Sequence, residues 1–329
     1  SIDSFQMRIT LEITRLLNCA FNRTMNQSDK SIGSALSVLG QHGKSFRFAG
    51  HFLSRDQLEG SARLYRFCRF IDDLVDETLN SDTARAQLEQ FKKELKIGRS
   101  SHPVIQDFIC LASDSRMQPK VISELIKGIE SDLEPVIVED TAQLVRYCYR
   151  VAGTVGLLMC DVLDVSEPRA RVHAIDLGIG MQLTNIARDI REDALRGRRY
   201  IPAQWIGDIS PQALTVPGNS HSSVIQAAVE KLLQLAEHYY DSGSEGLRFL
   251  PPRSKIAISI AAKVYREIGV VLGEQEYDPF LGRAHVTLPR KFRVALKLAL
   301  SSRRSRTYVP HVQSLHLHLE DLPNAHASA

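Results

Sequence analysis

The chain has 329 residues, 43% hydrophobic and 24% charged, with 41 Lys and Arg against 38 Asp and Glu. Those proportions exclude a disordered or low-complexity chain, and a chain of this length buries about three quarters of its unfolded surface, enough to enclose a deep apolar cavity. The charge of +3 is one local excess: seven basic residues and no acid lie between Arg290 and Arg306, leaving 34 bases against 38 acids elsewhere, which excludes a nucleic-acid-binding face spread over the fold.

Only Ile9, Leu11 and Ile13 alternate as a strand would, over too short a run to force a sheet. Asp3, Arg8 and Glu12 interrupt the first apolar residues, so no secretory signal is expected. Ser54 and Gln57 form a capping box ahead of a helix reaching about Glu77. Leu88, Phe91 and Leu95 mark the next helix, closed by Gly98. Pro103 opens another, at a first-turn position that proline tolerates. Val121, Ile122, Leu125, Ile126 and Ile129 follow with helical spacing. Asp140 caps a long apolar helix to about Leu163, and Ser166-Glu167-Pro168 starts one reaching Asp193. Further helical patterns cover 223–247, 252–272 and 289–301; the segment 208–222 reads as a loop and everything after Thr307 as a polar tail. There is no internal repeat and no break in composition between the helices, so the expectation is one all-α domain.

The longest apolar run, Val151 to Cys160, is half of what spans a bilayer. The five cysteines form no C-x-x-C pair, and four sit in apolar stretches, as expected of thiols in a reducing cytosol. A cytoplasmic chain is the expectation. The basic segment 290–306, interleaved with Phe292, Val294, Leu296, Leu298 and Leu300, reads first as a solvated helix and second as a peripheral contact with anionic lipid. His316 and His318, two residues apart in the tail, are an incidental pair on this reading.

Chemistry concentrates in two acidic helical segments. Tyr65, Arg69, Asp72 and Asp76 fall at i, i+4, i+7 and i+11, a single helical stripe. Gln182, Asn185, Asp189 and Asp193 fall at i, i+3, i+7 and i+11, a second stripe. Carboxylates one turn apart stand about 6 Å apart along the axis, so both can reach one cluster of ions. A lone D-x-x-x-D stripe is ordinarily a solvated face. Here both stripes are embedded in apolar helices, where crowded carboxylates cost stability unless cations compensate them. Oxygen donors without His or Cys suit Mg²⁺ rather than zinc, and arginines nearby complete a site for a metal-bound polyphosphate. Between the stripes, Tyr147 to Leu158 offers aromatic and small side chains fit to line a dry pocket for a carbocation. Gly153 and Gly156 either let a long chain lie against the helix or allow close helix packing.

The segments "RFIDDLVDE", "YCYRVAGTVG" and "LTNIARDIREDALRGRRYIP" resemble, in order and spacing, the signatures of the phytoene/squalene synthase family of head-to-head prenyltransferases, and the resemblance extends over nearly all of residues 40–300. It implies an all-α isoprenoid-synthase fold around a central cavity: an N-terminal segment (1–39) packing on a catalytic domain (40–306), then the polar tail (307–329). It implies Mg²⁺, or Mn²⁺ in its place, on Asp72, Asp76, Asp189 and Asp193 with Asn185 assisting. Diphosphate contacts would come from Arg69, Gln182, Arg188, Lys44 and Ser45, with Tyr265 and Arg283 near the diphosphates. Tyr65, Phe46, Tyr147, Val151, Ala152, Val155 and Gly156 would line the prenyl channel, and Arg198, Arg199 and Tyr200 fall on a flap that closes the site. Gly43 stands where the family commonly has Ser, and Arg47 where it has a smaller or aromatic residue.

The implied activity is condensation of two geranylgeranyl diphosphates through prephytoene diphosphate to phytoene, in carotenoid biosynthesis. A squalene-, dehydrosqualene- or presqualene-diphosphate-type enzyme using farnesyl diphosphate differs in substrate length and, for squalene, in needing NADPH. A terpene cyclase shares the period-of-four acidic spacing, but "VAGTVG" and "GRRYIP" are unlike one. A non-catalytic assembly factor would be expected to lose the carboxylates, and all are present.

Overall fold

The computed structural model describes residues 52–77, 80–216, 220–300 and 307–326. The strand-like run at Ile9–Ile13, and Gly43, Lys44, Ser45, Phe46, Arg47, Arg303, Arg304 and Arg306, lie outside the described residues. Among those described, regular structure is helical throughout, with one isolated parallel bridge between Ile137 and Arg199.

Local sequence sets the helix ends. Ahead of α1 (Arg55–Glu77) the capping box closes in both directions: the Gln57 amide donates to Ser54 Oγ at 3.3 Å, and the Ser54 amide donates to Gln57 Oε1 at 3.4 Å. Asn80 caps α2 (Ser81–Ile97), which ends where Gly98 turns to φ 78°, a left-handed conformation that glycine takes without a steric penalty. Prolines open α3 (Pro103–Asp114) and α4 (Pro119–Glu130). The Asp140 side chain accepts from the Gln143 amide at the start of α5 (Thr141–Cys148), and a π-helical turn, Tyr149–Gly153, joins α5 to α6 (Thr154–Val162). Then come α7 (Ala170–Arg188), the short α8 (Ile190–Leu195) and α9 (Ala203–Ile206), α10 (Ser222–Gly246), α11 (Pro252–Glu274) and α12 (Leu288–Leu300). Within the expected loop at 208–222, Pro211–Thr215 forms a 3-10 turn that buries Leu214.

The axis of the bundle is α7. Thirteen of its 19 residues are buried, His173, Asp176 and Thr184 among them, with α10 along it and α5, α6 and α11 around it. A Cβ on Gly156 would run into the Ala174 carbonyl, and one on Gly178 into the Ala152 carbonyl. Those two glycines let α6 and the π-helical turn approach α7 to backbone contact. Close packing is therefore what Gly153 and Gly156 supply first, since a Cβ on Gly153 would meet Tyr149 and Ile175. Gly156 in addition faces the central cavity.

Two expectations change. The basic face of α12 is partly folded in: Arg290 pairs with Glu267 at 2.6 Å and Glu274 at 2.7 Å, and Lys291 is buried. The C-terminal segment packs on the bundle rather than trailing from it. Leu319, Leu322 and Ala325 are buried, Tyr239 donates to the Leu315 carbonyl at 2.9 Å, and Arg146 pairs with Asp321. Among the described residues no helix is long and apolar enough to cross a membrane.

Candidate active site

An apolar cavity runs beside α7. At one end it is lined by Tyr65, Gln182, Asn185 and Tyr265, in the middle by Val151, Ala152, Val155, Gly156 and Met181, and at the other end by Leu163, Ala170 and Leu250. Ala170 and Asn185 are 15 positions apart on one helix, so the lining spans about 22 Å at 1.5 Å per residue. Asn185 donates to Gln182 Oε1 at 3.2 Å, which leaves its own Oδ1 buried and without a hydrogen-bond partner. Burial, reinforced by Tyr265, pushes the Tyr65 hydroxyl up to about 12, so it stays a neutral donor.

Beyond the polar end stand the two acidic stripes. α7 stops at Arg188, yet the Asp193 amide donates to the Asp189 carbonyl at 2.9 Å and the Asp189 amide to that of Asn185 at 2.9 Å. Helical register therefore survives the break, and Asn185, Asp189 and Asp193 keep one face. Burial, then the charge of Asp76, pushes the Asp72 carboxyl up to about 7; burial, then Asp189, does the same to Asp193. Asp189 goes the other way: despite its burial, Arg188 and Arg283 hold it below the ordinary carboxylate range. Arg283 reaches it at 2.8 and 3.1 Å, while Arg188 forks onto both oxygens. Asp76 receives Arg198 at 2.8 Å.

Asp132, which sequence reasoning missed, joins the stripes. It repels Asp72 and Asp193 alike, and burial pushes its own carboxyl up to about 6. Tyr200 donates to its Oδ1 at 2.7 Å and Tyr147 to its Oδ2 at 2.9 Å, the two rings being stacked 4.5 Å apart. Tyr147, expected in the prenyl channel, thus serves the acidic mouth instead. Asp132 follows the apolar helix α4 in a 3-10 turn (Ser131–Leu133) and has no period-of-four partner, so spacing gave no signal for it.

The expected flap residues divide. Arg198 faces the carboxylates and also donates to the Asp132 carbonyl at 2.9 Å. Arg199 does not face the site: it is 3% exposed and donates to the carbonyls of Gly207 and Ile209 at 3.2 and 2.7 Å, so its role is to hold the following turn. Arg69, expected on diphosphate, lies on the acidic face of α1 and pairs with Asp73 at 2.5 Å.

The residues fit a hard divalent cation. An unpartnered buried amide oxygen on Asn185 and two carboxyls driven towards protonation by burial and like charge are the signs of an acidic cluster short of cations. All the donors are oxygen, as Mg²⁺ prefers.

An all-helical bundle with paired acidic helices at the mouth of a long apolar cavity defines an isoprenoid-synthase-type protein. Solved structures agree. A dehydrosqualene synthase matches with a TM-score of 0.72 at 27% identity over 82% of this chain and 95% of that one. The fold is also that of a squalene synthase from Alicyclobacillus acidocaldarius, with a TM-score of 0.66 at 18% identity over 77% and 98%. The squalene/phytoene synthase family matches residues 39–290, and the chain belongs to that family. Among relatives, a 15-cis-phytoene synthase from Pantoea ananas is 32% identical over 84% of this chain and 93% of its own. A phytoene synthase from Rhodobacter capsulatus is 33% identical over 78% of each.

Proposed function

We propose that this chain joins two geranylgeranyl diphosphates head to head, through prephytoene diphosphate, to give phytoene. The observation that carries the reading is the long apolar cavity ending at Gln182 and Asn185 below two acidic stripes. Relatives named phytoene synthase support it.

Asp72, Asp76, Asn185, Asp189 and Asp193 would hold Mg²⁺. When bound, Mg²⁺ neutralises the diphosphate leaving group as the allylic carbon–oxygen bond breaks. The chain's arginines are poised for the same charge. Arg188 and Arg283 pair with Asp189, and Arg198 with Asp76; these carboxylates would hold the cation while the freed guanidiniums hold the diphosphate. Diphosphate leaves the first donor, the double bond of the second chain attacks the resulting carbocation, and loss of a proton closes the cyclopropane. The second diphosphate then leaves, the skeleton rearranges, and another proton loss gives phytoene, with no reductant consumed. Val151, Val155 and Met181 exclude water from these cations.

The dehydrosqualene synthase likeness favours a second reading, the same chemistry on two farnesyl diphosphates. Incubation with each diphosphate alone, with and without NADPH, tests the two. Phytoene from the C20 substrate without NADPH is expected; turnover of farnesyl diphosphate alone would overturn the C20 assignment.

A further inference from the structure

A second polar cluster lies on the same central helix, well away from the acidic stripes. Asp176 is in the middle of α7 and is 0% exposed. It faces two histidines of the C-terminal segment: His316 Nε2 is 2.8 Å from its Oδ1, and His311 Nε2 is 3.0 Å from its Oδ2. All three side chains are at least nine-tenths buried, and one ligand atom from each falls within 4.8 Å of the others.

Proton placement argues for a cation among them. His316 Nδ1 lies 2.5 Å from the Ala325 carbonyl, so it carries the hydrogen and donates it there. Its Nε2 faces Asp176 Oδ1 at 2.8 Å, where a cation beside both atoms would take the place of a second ring proton. His311 adds a distinct signature: its Nε2 is buried 3.0 Å from Asp176 Oδ2 and has no hydrogen-bond partner. An ion about 2.1 Å from both atoms would sit about 45° off the line joining them. A ring aimed at such a point makes a poor N–H donor to the oxygen and a good metal ligand.

The surroundings are those of a ligand set held in place. Ser242 donates to Asp176 Oδ2 at 2.5 Å, and the Ala325 carbonyl fixes the His316 tautomer; such outer contacts orient metal-binding carboxylates and imidazoles. We propose that Asp176, His311 and His316 form a zinc-class divalent metal site that clasps residues 307–326 to α7. Two imidazoles and one carboxylate select Zn²⁺ or Co²⁺ over Mg²⁺, in contrast to the all-oxygen stripes. Coordination from two parts of the chain makes metal affinity part of the stability of the C-terminal segment.

The test uses tag-free full-length protein, stripped with EDTA and dialysed against Co²⁺ in excess Mg²⁺. Expected are one Co²⁺ per chain with visible d–d absorption, retention of that ion by Asp189→Asn, at least tenfold weaker binding by His311→Gln, and slower tryptic cleavage of the C-terminal segment when Zn²⁺ is added. A stripped wild-type protein that retains no Co²⁺ or Zn²⁺ would overturn the site and leave a proton shared by Asp176 and the histidines. Loss of the ion in Asp189→Asn would also overturn it, by assigning the metal to the acidic mouth. Both of these readouts stand even if His311→Gln fails to fold.

Discussion

Replacing Asp72 by Asn should make the metal-free protein more stable while destroying its activity. The carboxyl is half-buried beside Asp76 and Asp132 and titrates at about 7 instead of 3.8. Because the folded state binds this proton more tightly than the unfolded chain does, the group favours folding only while protonated. Its contribution is complete below about pH 4 and is lost as pH rises to about 7. Three pKa units at 1.36 kcal/mol each set a ceiling of about 4 kcal/mol, and screening by the water that reaches a half-buried side chain reduces the working figure to about 2 kcal/mol. In a chain of 329 residues, at about 2.1 cal/mol/K of unfolding entropy per residue, that is worth about 3 °C in melting temperature. Scanning calorimetry in EDTA should show Asp72→Asn melting about 3 °C above wild type at pH 8 and level with it at pH 4. Added Mg²⁺ should raise the wild-type midpoint at pH 8 and close the gap, because it binds the folded acidic cluster. Asp193→Asn should behave alike, its carboxyl being raised for the same reason. A lower melting temperature for Asp72→Asn at pH 8 in EDTA would refute the reasoning, since it would mean that the charged form is stabilised by a contact.

Asp76→Asn and Asp189→Asn each remove a charge at constant volume and should lower kcat/KM by at least about 10²-fold with the fold intact by circular dichroism. EDTA should abolish turnover and Mg²⁺ restore it, whereas undiminished activity without metal would contradict the assignment of the stripes. Gly178→Ala drives a methyl into the Ala152 carbonyl and should cost at least about 1–3 kcal/mol in urea unfolding, since backbone must move. Gly269→Ala, which meets only the flexible Leu233 side chain, should cost less. Ala170→Phe fills the end of the cavity opposite Asn185 and should shift the ratio of kcat/KM values from C20 towards C15 diphosphate; unchanged selectivity would show that this end does not measure chain length.

Much of this site was legible because the signals were periodic. Asp72 with Asp76, and Asp189 with Asp193, declare themselves by four-residue spacing inside apolar helices, and the register persists across the break at Asp189 through the Asp193 amide. Asp132 carries no such spacing, and tertiary packing alone brings it between the stripes. Arg198 and Arg199 are adjacent and chemically identical, so only the path of the backbone decides that one meets Asp76 and the other meets carbonyls. Tyr147 sits in an apolar run that reads as channel lining, but the π-helical turn follows it and the ring stacks on Tyr200. The C-terminal segment read as a polar tail because its buried apolar residues, Leu319, Leu322 and Ala325, are few and set among polar ones, and its other anchors are main-chain carbonyls, Asp321 and histidines.

The central claim is that this cavity accepts two C20 chains and joins them at an Mg²⁺-loaded acidic mouth. It is tested most directly by competition, with equimolar farnesyl and geranylgeranyl diphosphates in one Mg²⁺-containing reaction without NADPH and the hydrocarbon products quantified by mass. The product ratio reports relative kcat/KM free of differences in enzyme concentration. Phytoene should predominate and should vanish with EDTA. A product made up of C30 hydrocarbon or presqualene diphosphate would contradict the claim.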